Sequence, residues 1–268
     1  MSRRSLIQSV WIAVPFAAVS VLPTACSSVH SSSIADAQSD PIAATSTQAP
    51  VPAVSSAPRA NSDVVQPAAV TVLTSLPGLG PRTSAAIPAS AGQVVLATGA
   101  GSTSSDTTVQ LFTRVPGGWQ PAAPAWQGHN AVEGWTAEHY AGDSKSPVGV
   151  FGLTDAGGLL PDPGTKLRYT QSSGFTINGT GFRHEPLAGS FDYVIAINYN
   201  RTPGTSPMDP TMPMGASRGG GIWLHVDHGG PTHACVSVPR DDMKQLLLTL
   251  DPALKPVIVM GDRGSLAR

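Results

Sequence analysis

The sequence predicts a mainly β domain, sandwich- or barrel-like, with few helices, carried behind a long unstructured lead. Three observations predict it. Gly 28 and Pro 25 among 268 residues cut the chain into short runs separated by turns. The runs between those turns are β-branched and aromatic, without the period of a helix. Every Trp, Tyr and Phe except Trp11 and Phe16 lies between Phe112 and Trp223, which places one core in the later part of the chain. A hydrophobic share of 41% is enough for that core. Charged residues make up 12%, against about 25% in an average soluble protein, and the net charge is -1. Such a chain has no basic footprint for a phosphate backbone, so nucleic acid is excluded as a partner.

Residues 1–26 read as an export signal. Arg3 and Arg4 give a positive start, and an interrupted apolar run from Leu6 to Leu22 follows. That run is short for a membrane span, which needs about 20 apolar residues. Leu22-Pro23-Thr24-Ala25-Cys26 resembles a lipobox, whose cysteine takes the lipid, with Pro23 where Leu is usual. Cleavage after Ala35-Asp36-Ala37 is the alternative and would discard Cys26. Residues 27–70 are rich in Ser, Ala, Pro, Thr and Gln, with four charges (Asp36, Asp40, Arg59, Asp63) and no Trp, Tyr or Phe. They cannot bury enough apolar surface to offset the entropy of ordering, so a disordered tether is expected.

The folded domain is expected over residues 71–268. Val94-Val95-Leu96 and Thr108 to Thr113 read as strands joined by a Gly/Ser/Thr turn at Gly99 to Ser105. Phe191 to Ile197 and Gly221 to Val226 read as two more. Met243, Leu246, Leu247 and Leu250 fall at i, i+3, i+4 and i+7, the stripe of a helix starting after Pro239. Asp241 and Asp242 suit its positive end, and Pro252 marks the stop. Pro256 to Met260 reads as a closing strand. Two motif matches are set aside. Gly99-Ala100-Gly101 lacks the helix and third glycine of a dinucleotide fingerprint. Gly215-Ala216-Ser217-Arg218-Gly219 has the G-x-S-x-G form but sits in Pro/Gly-rich sequence, where no strand-to-helix elbow can form.

The dense chemistry lies between His225 and Cys235. Three of the seven histidines and the only cysteine beyond the signal region fall there. An unpaired thiol in an exported protein is unusual, because oxidising compartments favour disulfides. Free Cys often packs as a small hydrophobe, and Val236 and Val238 fit that reading. Neighbouring imidazoles favour a reactive thiol, since a nucleophilic Cys needs help to lose its proton.

Thr232-His233-Ala234-Cys235-Val236 resembles the [S/T]-H-G-C-[V/I] signature of the L,D-transpeptidase (YkuD-type) catalytic domain. Leu224-His225 resembles that family's upstream histidine. Gly142-Asp143-Ser144-Lys145-Ser146-Pro147-Val148-Gly149-Val150-Phe151 is similar to its G-D-x-x-[T/S]-P-x-G-x-F segment. Arg218-Gly219-Gly220-Gly221-Ile222-Trp223-Leu224-His225 is similar to the R-G-S-x-I-F-L-H run of actinobacterial-type members. The resemblance implies a peptidoglycan-remodelling enzyme. Cys235 would form a thioester with a tetrapeptide stem, and an amine of a neighbouring stem would take the acyl group in a 3-3 cross-link. It implies His225 as general base, oriented by the carbonyl of Val226 or a neighbour, and His233 as the signature histidine that orders the loop. The N–H groups of Cys235 and of Ala234 or His233 would face the oxyanion. Thr232 belongs to the same signature and is expected at the substrate; Asn198, Tyr199 and Asn200 are expected along the donor cleft. His228, which no motif claims, is expected to be a polar loop residue. No cofactor is expected, and the partners are peptidoglycan stems and, through Cys26, a membrane; the protein is expected to be a monomer.

Three positions depart from the family pattern. Ala234 replaces Gly, which would cost about 1–2 kcal/mol if that residue needed φ > 0. Ser237 stands where Arg or Asn is common, and Cys235 follows His225 by only ten positions. Two alternatives remain open at this point. His225, His228, His233 and Cys235 are all zinc-competent and would suit an exported hydrolase. A non-catalytic wall-binding lipoprotein is the other.

Overall fold

The computed structural model describes residues 71–268. The export signal, the tether and Cys26 lie outside the described residues. In chain order come α1 (Pro81–Ala86), β1 (Gln93–Gly99), β2 (Asp106–Val115), β3 (Gly118–Pro121), β4 (Trp126–His129), β5 (Trp135–Thr136), β6 (Ser146–Pro147) and β7 (Gly149–Gly158). Then follow β8 (Arg168–Gln171), β9 (Val194–Ile197), β10 (Trp223–Val226), β11 (Val236–Val238), α2 (Arg240–Thr249), β12 (Val257–Asp262) and α3 (Arg263–Leu266). The domain is mainly β, with a large mixed sheet and short helices.

Ten strands form that sheet in the order β11-β10-β9-β7-β12-β1-β2-β3, with β4 on β2 and β8 on β7. Pairs β1–β12, β10–β11 and β7–β8 are parallel; the other ladders are antiparallel. The sheet curls because two strands change partners. β2 gives its first half to β4 and its second to β3. β7 gives Gly149–Gly152 to β12 and turns to β9 from Leu153 on, with a register shift between Leu153 and Ala156. The curl brings β4 up to β11, where the His129 N–H donates to Ser237 Oγ at 3.3 Å. Only glycine fits at 128, since a Cβ there would lie 1.8 Å from the Ser237 carbonyl oxygen.

The expected β1–β2 hairpin and the helix after Pro239 are present. Met243, Leu246, Leu247 and Leu250 are all fully buried, as the stripe requires. Two expectations shift. The run from Phe191 becomes a strand only at Val194, because the Asp192 N–H closes a turn onto Gly189. The segment from Pro256 does close the chain, yet β12 runs through the middle of the sheet between β7 and β1. β7 escaped the sequence reading because four of its ten residues are glycine, a poor strand former. At Gly158 the absence of a Cβ is required: one would sit 2.1 Å from the Asp192 carbonyl oxygen.

One face of the sheet buries Val95, Ala97, Ile258 and Met260 with the α2 stripe. The other face at β1 and β12 buries Val94, Leu96, Val257 and Val259 under Leu76, Ala91 and Leu266. Among the described residues no helix is long and apolar enough to cross a membrane.

Candidate active site

The parallel register of β10 and β11 pairs Leu224 with Val236, His225 with Ser237 and Val226 with Val238. One step back, Cys235 lies beside Trp223, whose N–H points at Cys235 Sγ at 3.4 Å. Side chains alternate along a strand. Leu224, Val226, Val236 and Val238 therefore go to the core, and His225 and Cys235 share the opposite face. Both line a cavity of about 230 Å³, whose other walls include Phe182, Leu187, Phe191, His228 and the loop at Thr232 and His233.

The His225 ring is buried and its edge is fixed. Nδ1 lies 2.9 Å from the Val226 carbonyl, and a carbonyl only accepts, so Nδ1 carries the proton. Nε2 is then a bare acceptor in the neutral ring. Burial pushes His225 down to about 4, against which the Val226 contact works. Burial likewise pushes the Cys235 thiol up to about 11, with the Trp223 N–H opposing it. At neutral pH the resting pair is thiol and imidazole, with no preformed ion pair. For such a thiol to act as a nucleophile, its proton would have to leave as it attacks, which is what a general base supplies.

The loop before Cys235 is held from behind. Ser146 Oγ, fully buried, donates to the Ala234 carbonyl at 2.9 Å, and it accepts from the Ala131 N–H at 3.1 Å. Thr232 Oγ1 donates to the Cys235 carbonyl at 2.7 Å. In a trans peptide the C=O and the following N–H point opposite ways. With the Ala234 carbonyl turned to Ser146, the Cys235 N–H faces away from Ser146. Ser146 belongs to the Gly142–Phe151 motif, which gives that motif a physical task. Ala234 is not among the residues with positive φ, so its methyl is free of the strain considered above. His233 is exposed and packs on Phe182 with ring centroids 4.8 Å apart.

Other candidate residues stand elsewhere. Tyr199 donates its hydroxyl to the Arg218 carbonyl at 2.9 Å and packs edge-on against Phe151 and His139. Asn200 donates to Gly215 and accepts from the Met214 N–H. Asn198 bonds Thr154 and Arg201. All three pin the 199–219 loop, and none lines the Cys235 cavity. Thr232 does line it, with its hydroxyl engaged by the loop. Ser237 is fully enclosed: its hydroxyl meets Asp227, which also holds His129 Nδ1 at 2.7 Å. Burial would raise Asp227, but the bonds from His129, Ser237 and Gly229 hold it at about 2. This network ties β4 to β10 and β11, so Ser237 offers nothing to a substrate.

His228 is the residue whose place the sequence reading missed. Its ring lies parallel to His225 at 5.8 Å, and its Nδ1 is 3.1 Å from Glu185 Oε1. Its side chain is 6% exposed, so it is no loose loop residue. Glu185, from a separate loop, carried no sequence signal at all. Among the described residues no three His, Cys, Asp or Glu side chains converge as a metal site requires.

No protein-family model matches the chain, and no curated protein matches it. Among solved structures, the helical cell shape determining protein Pgp2 from Campylobacter jejuni is similar at 15% identity and a TM-score of 0.35. That match covers 63% of this chain and 46% of that one, so this chain spans less than half its length.

Proposed function

We propose that the protein is a peptidoglycan L,D-transpeptidase, a cysteine acyltransferase of the exported face of the cell. The observation that carries this reading is the neutral Cys235–His225 pair on one face of two adjacent parallel strands, with His225 Nδ1 committed to Val226 so that Nε2 is left to act. That arrangement supports attack on an acyl carbon, which fits the motif resemblance. Cys235 loses its proton to His225 and attacks the stem carbonyl. The C–N bond to the terminal D-residue breaks, and the leaving amine takes the proton back from His225. The thioester then passes its acyl group to an amine of a second stem.

The signal segment would supply export, and Cys26 the lipid anchor that keeps the domain near the wall. Mass analysis of the native N-terminus tests that part: a start at Cys26 with acyl chains supports it, and a start beyond Cys26 refutes it. For the chemistry, incubation with a carbapenem or a defined tetrapeptide muropeptide, read by intact-protein mass, is the test. One covalent adduct on the wild-type protein and none on Cys235→Ala is expected. An adduct that persists in Cys235→Ala sinks the assignment.

A further inference from the structure

The same cavity wall carries two imidazoles, and the reaction above uses one. His225 and His228 both line the cavity with Cys235. Their rings lie 6° from parallel, and each has Nδ1 tied to an oxygen that can only accept. Both neutral rings therefore carry the proton on Nδ1 and leave Nε2 as the acceptor. Among the described residues neither Nε2 has a protein partner, and neither is among the buried side-chain atoms left unpaired, so both remain reachable from the cavity.

Their partners differ. His225 has a neutral carbonyl behind it; His228 has a carboxylate. Glu185 is 10% exposed at its side chain, and His228 is its one ion-pair partner among the described residues. Its second oxygen accepts from the Arg183 N–H at 2.7 Å. The carboxylate occupies a slot that glycine alone permits: a Cβ at Gly181 or Gly230 would lie 2.2 Å or 1.9 Å from Glu185 Oε1. Asp227, next to His228 in the chain, is turned away to His129 and Ser237. Burial would raise Glu185, but backbone N–H groups and His228 hold it below its ordinary value, so it is a carboxylate at neutral pH. A carboxylate behind an imidazole fixes its tautomer and stabilises the imidazolium formed when the ring takes a proton.

We propose that His228, held by Glu185, is the base that activates the acyl acceptor in the second half-reaction, while His225 serves the thiol in the first. This rests on the thioester reading above. The acceptor, an amine or water, gives its proton to His228 Nε2 as its lone pair attacks the thioester carbonyl carbon. The tetrahedral adduct collapses, and the C–S bond breaks with its electron pair going to sulfur. The thiolate regains a proton through water from the His228 imidazolium, so the net transfer is from acceptor to sulfur and no other reactant is needed.

The experiment mixes the full chain with a defined disaccharide-tetrapeptide and follows the Cys235 adduct by rapid-quench mass spectrometry. In His228→Gln the thioester should form as in wild type and then persist, with its release slowed by about 10²–10⁴-fold. Glu185→Gln, which keeps the shape and the Arg183 contact, should slow release in the same direction. In His225→Gln formation of the adduct itself should slow by about 10²–10⁴-fold. Hydroxylamine, which attacks thioesters without a base, should clear the adduct from His228→Gln as fast as from wild type; a merely structural role for His228 would not give that rescue. Release from His228→Gln at the wild-type rate overturns the inference, and so does a His228→Gln that fails to acylate. An absent adduct on wild-type protein instead overturns the thioester reading and this inference with it.

Discussion

Two parallel strand pairs in one sheet have opposite fates. At β1–β12 both faces are apolar: Val95, Ala97, Ile258 and Met260 on one side, Val94, Leu96, Val257 and Val259 on the other. At β10–β11 one face is equally apolar, while the other carries His225, Cys235 and Ser237. The ladder geometry is the same. The difference lies in what covers the second face. Over β1–β12 it is closed by α3 and the segment around Leu76 and Ala91. Over β10–β11 it opens on a cavity walled by loops. Polar side chains stand on the sheet where loops, and not an apolar segment, cover the face, here at the end of the sheet order.

Damage to one strand pair should leave the other intact. His225→Ala should cost about 10²–10⁴-fold in turnover while leaving the β1–β12 core intact. Ile258→Ala should cost about 2–5 kcal/mol of stability, measured by urea unfolding, with the chemistry of the surviving folded protein unchanged. If Ile258→Ala instead slows acylation at equal folded fraction, the two pairs are coupled and the contrast fails.

Ser146→Ala comes next. It strips the donor from the Ala234 carbonyl and the acceptor from the Ala131 N–H, both at buried positions, for about 1–3 kcal/mol of stability. It should also slow acylation, because the Cys235 loop loses its backing. A Ser146→Ala protein with full acylation rate would show that Thr232 alone holds the loop.

Stability against pH separates the pairs again, because β1–β12 titrates nowhere near neutrality. His225 folds with its value at about 4, below the ordinary 6.5, so acid protonates the unfolded chain first. Its contribution is fully present above about pH 6.5 and is lost as pH falls toward about 4. Asp227, held at about 2 against 3.8, adds a second loss at lower pH. Urea midpoints across this range should fall in wild type and flatten between 6.5 and 4 in His225→Gln. An unchanged limb in His225→Gln would mean another group titrates there.

The smallest effect concerns the thiol. With Cys235 pushed up to about 11, iodoacetamide should react slowly near pH 8, faster toward pH 11, and at an ordinary thiol rate once the chain is unfolded. Fast labelling of the folded protein near neutrality would mean the thiolate is already formed, and His225 would then have no proton to take.

Much of this molecule follows from local sequence. The β1–β2 hairpin, the α2 stripe and the 224–226 strand depend on residues near one another, and alternation or period three-and-four is visible within a dozen positions. That His225 and Cys235 come near one another was also within reach, since a single short loop, 227–235, joins the two adjacent strands. Other features depended on parts of the chain that no local pattern connects. β7 is hidden by its glycines, two of which, Gly157 and Gly158, let the Thr170 and Asp192 carbonyls approach. Tyr199 and Asn200 look like cleft residues in sequence, but carbonyls at Gly215 and Arg218 take their polar atoms. Glu185 meets His228 across 43 positions in a slot defined by two glycines. A sequence displays which side chains alternate and which can react. Only the closed sheet decides which of them lose water, which carbonyl or carboxylate stands behind each ring, and hence which proton each nitrogen holds.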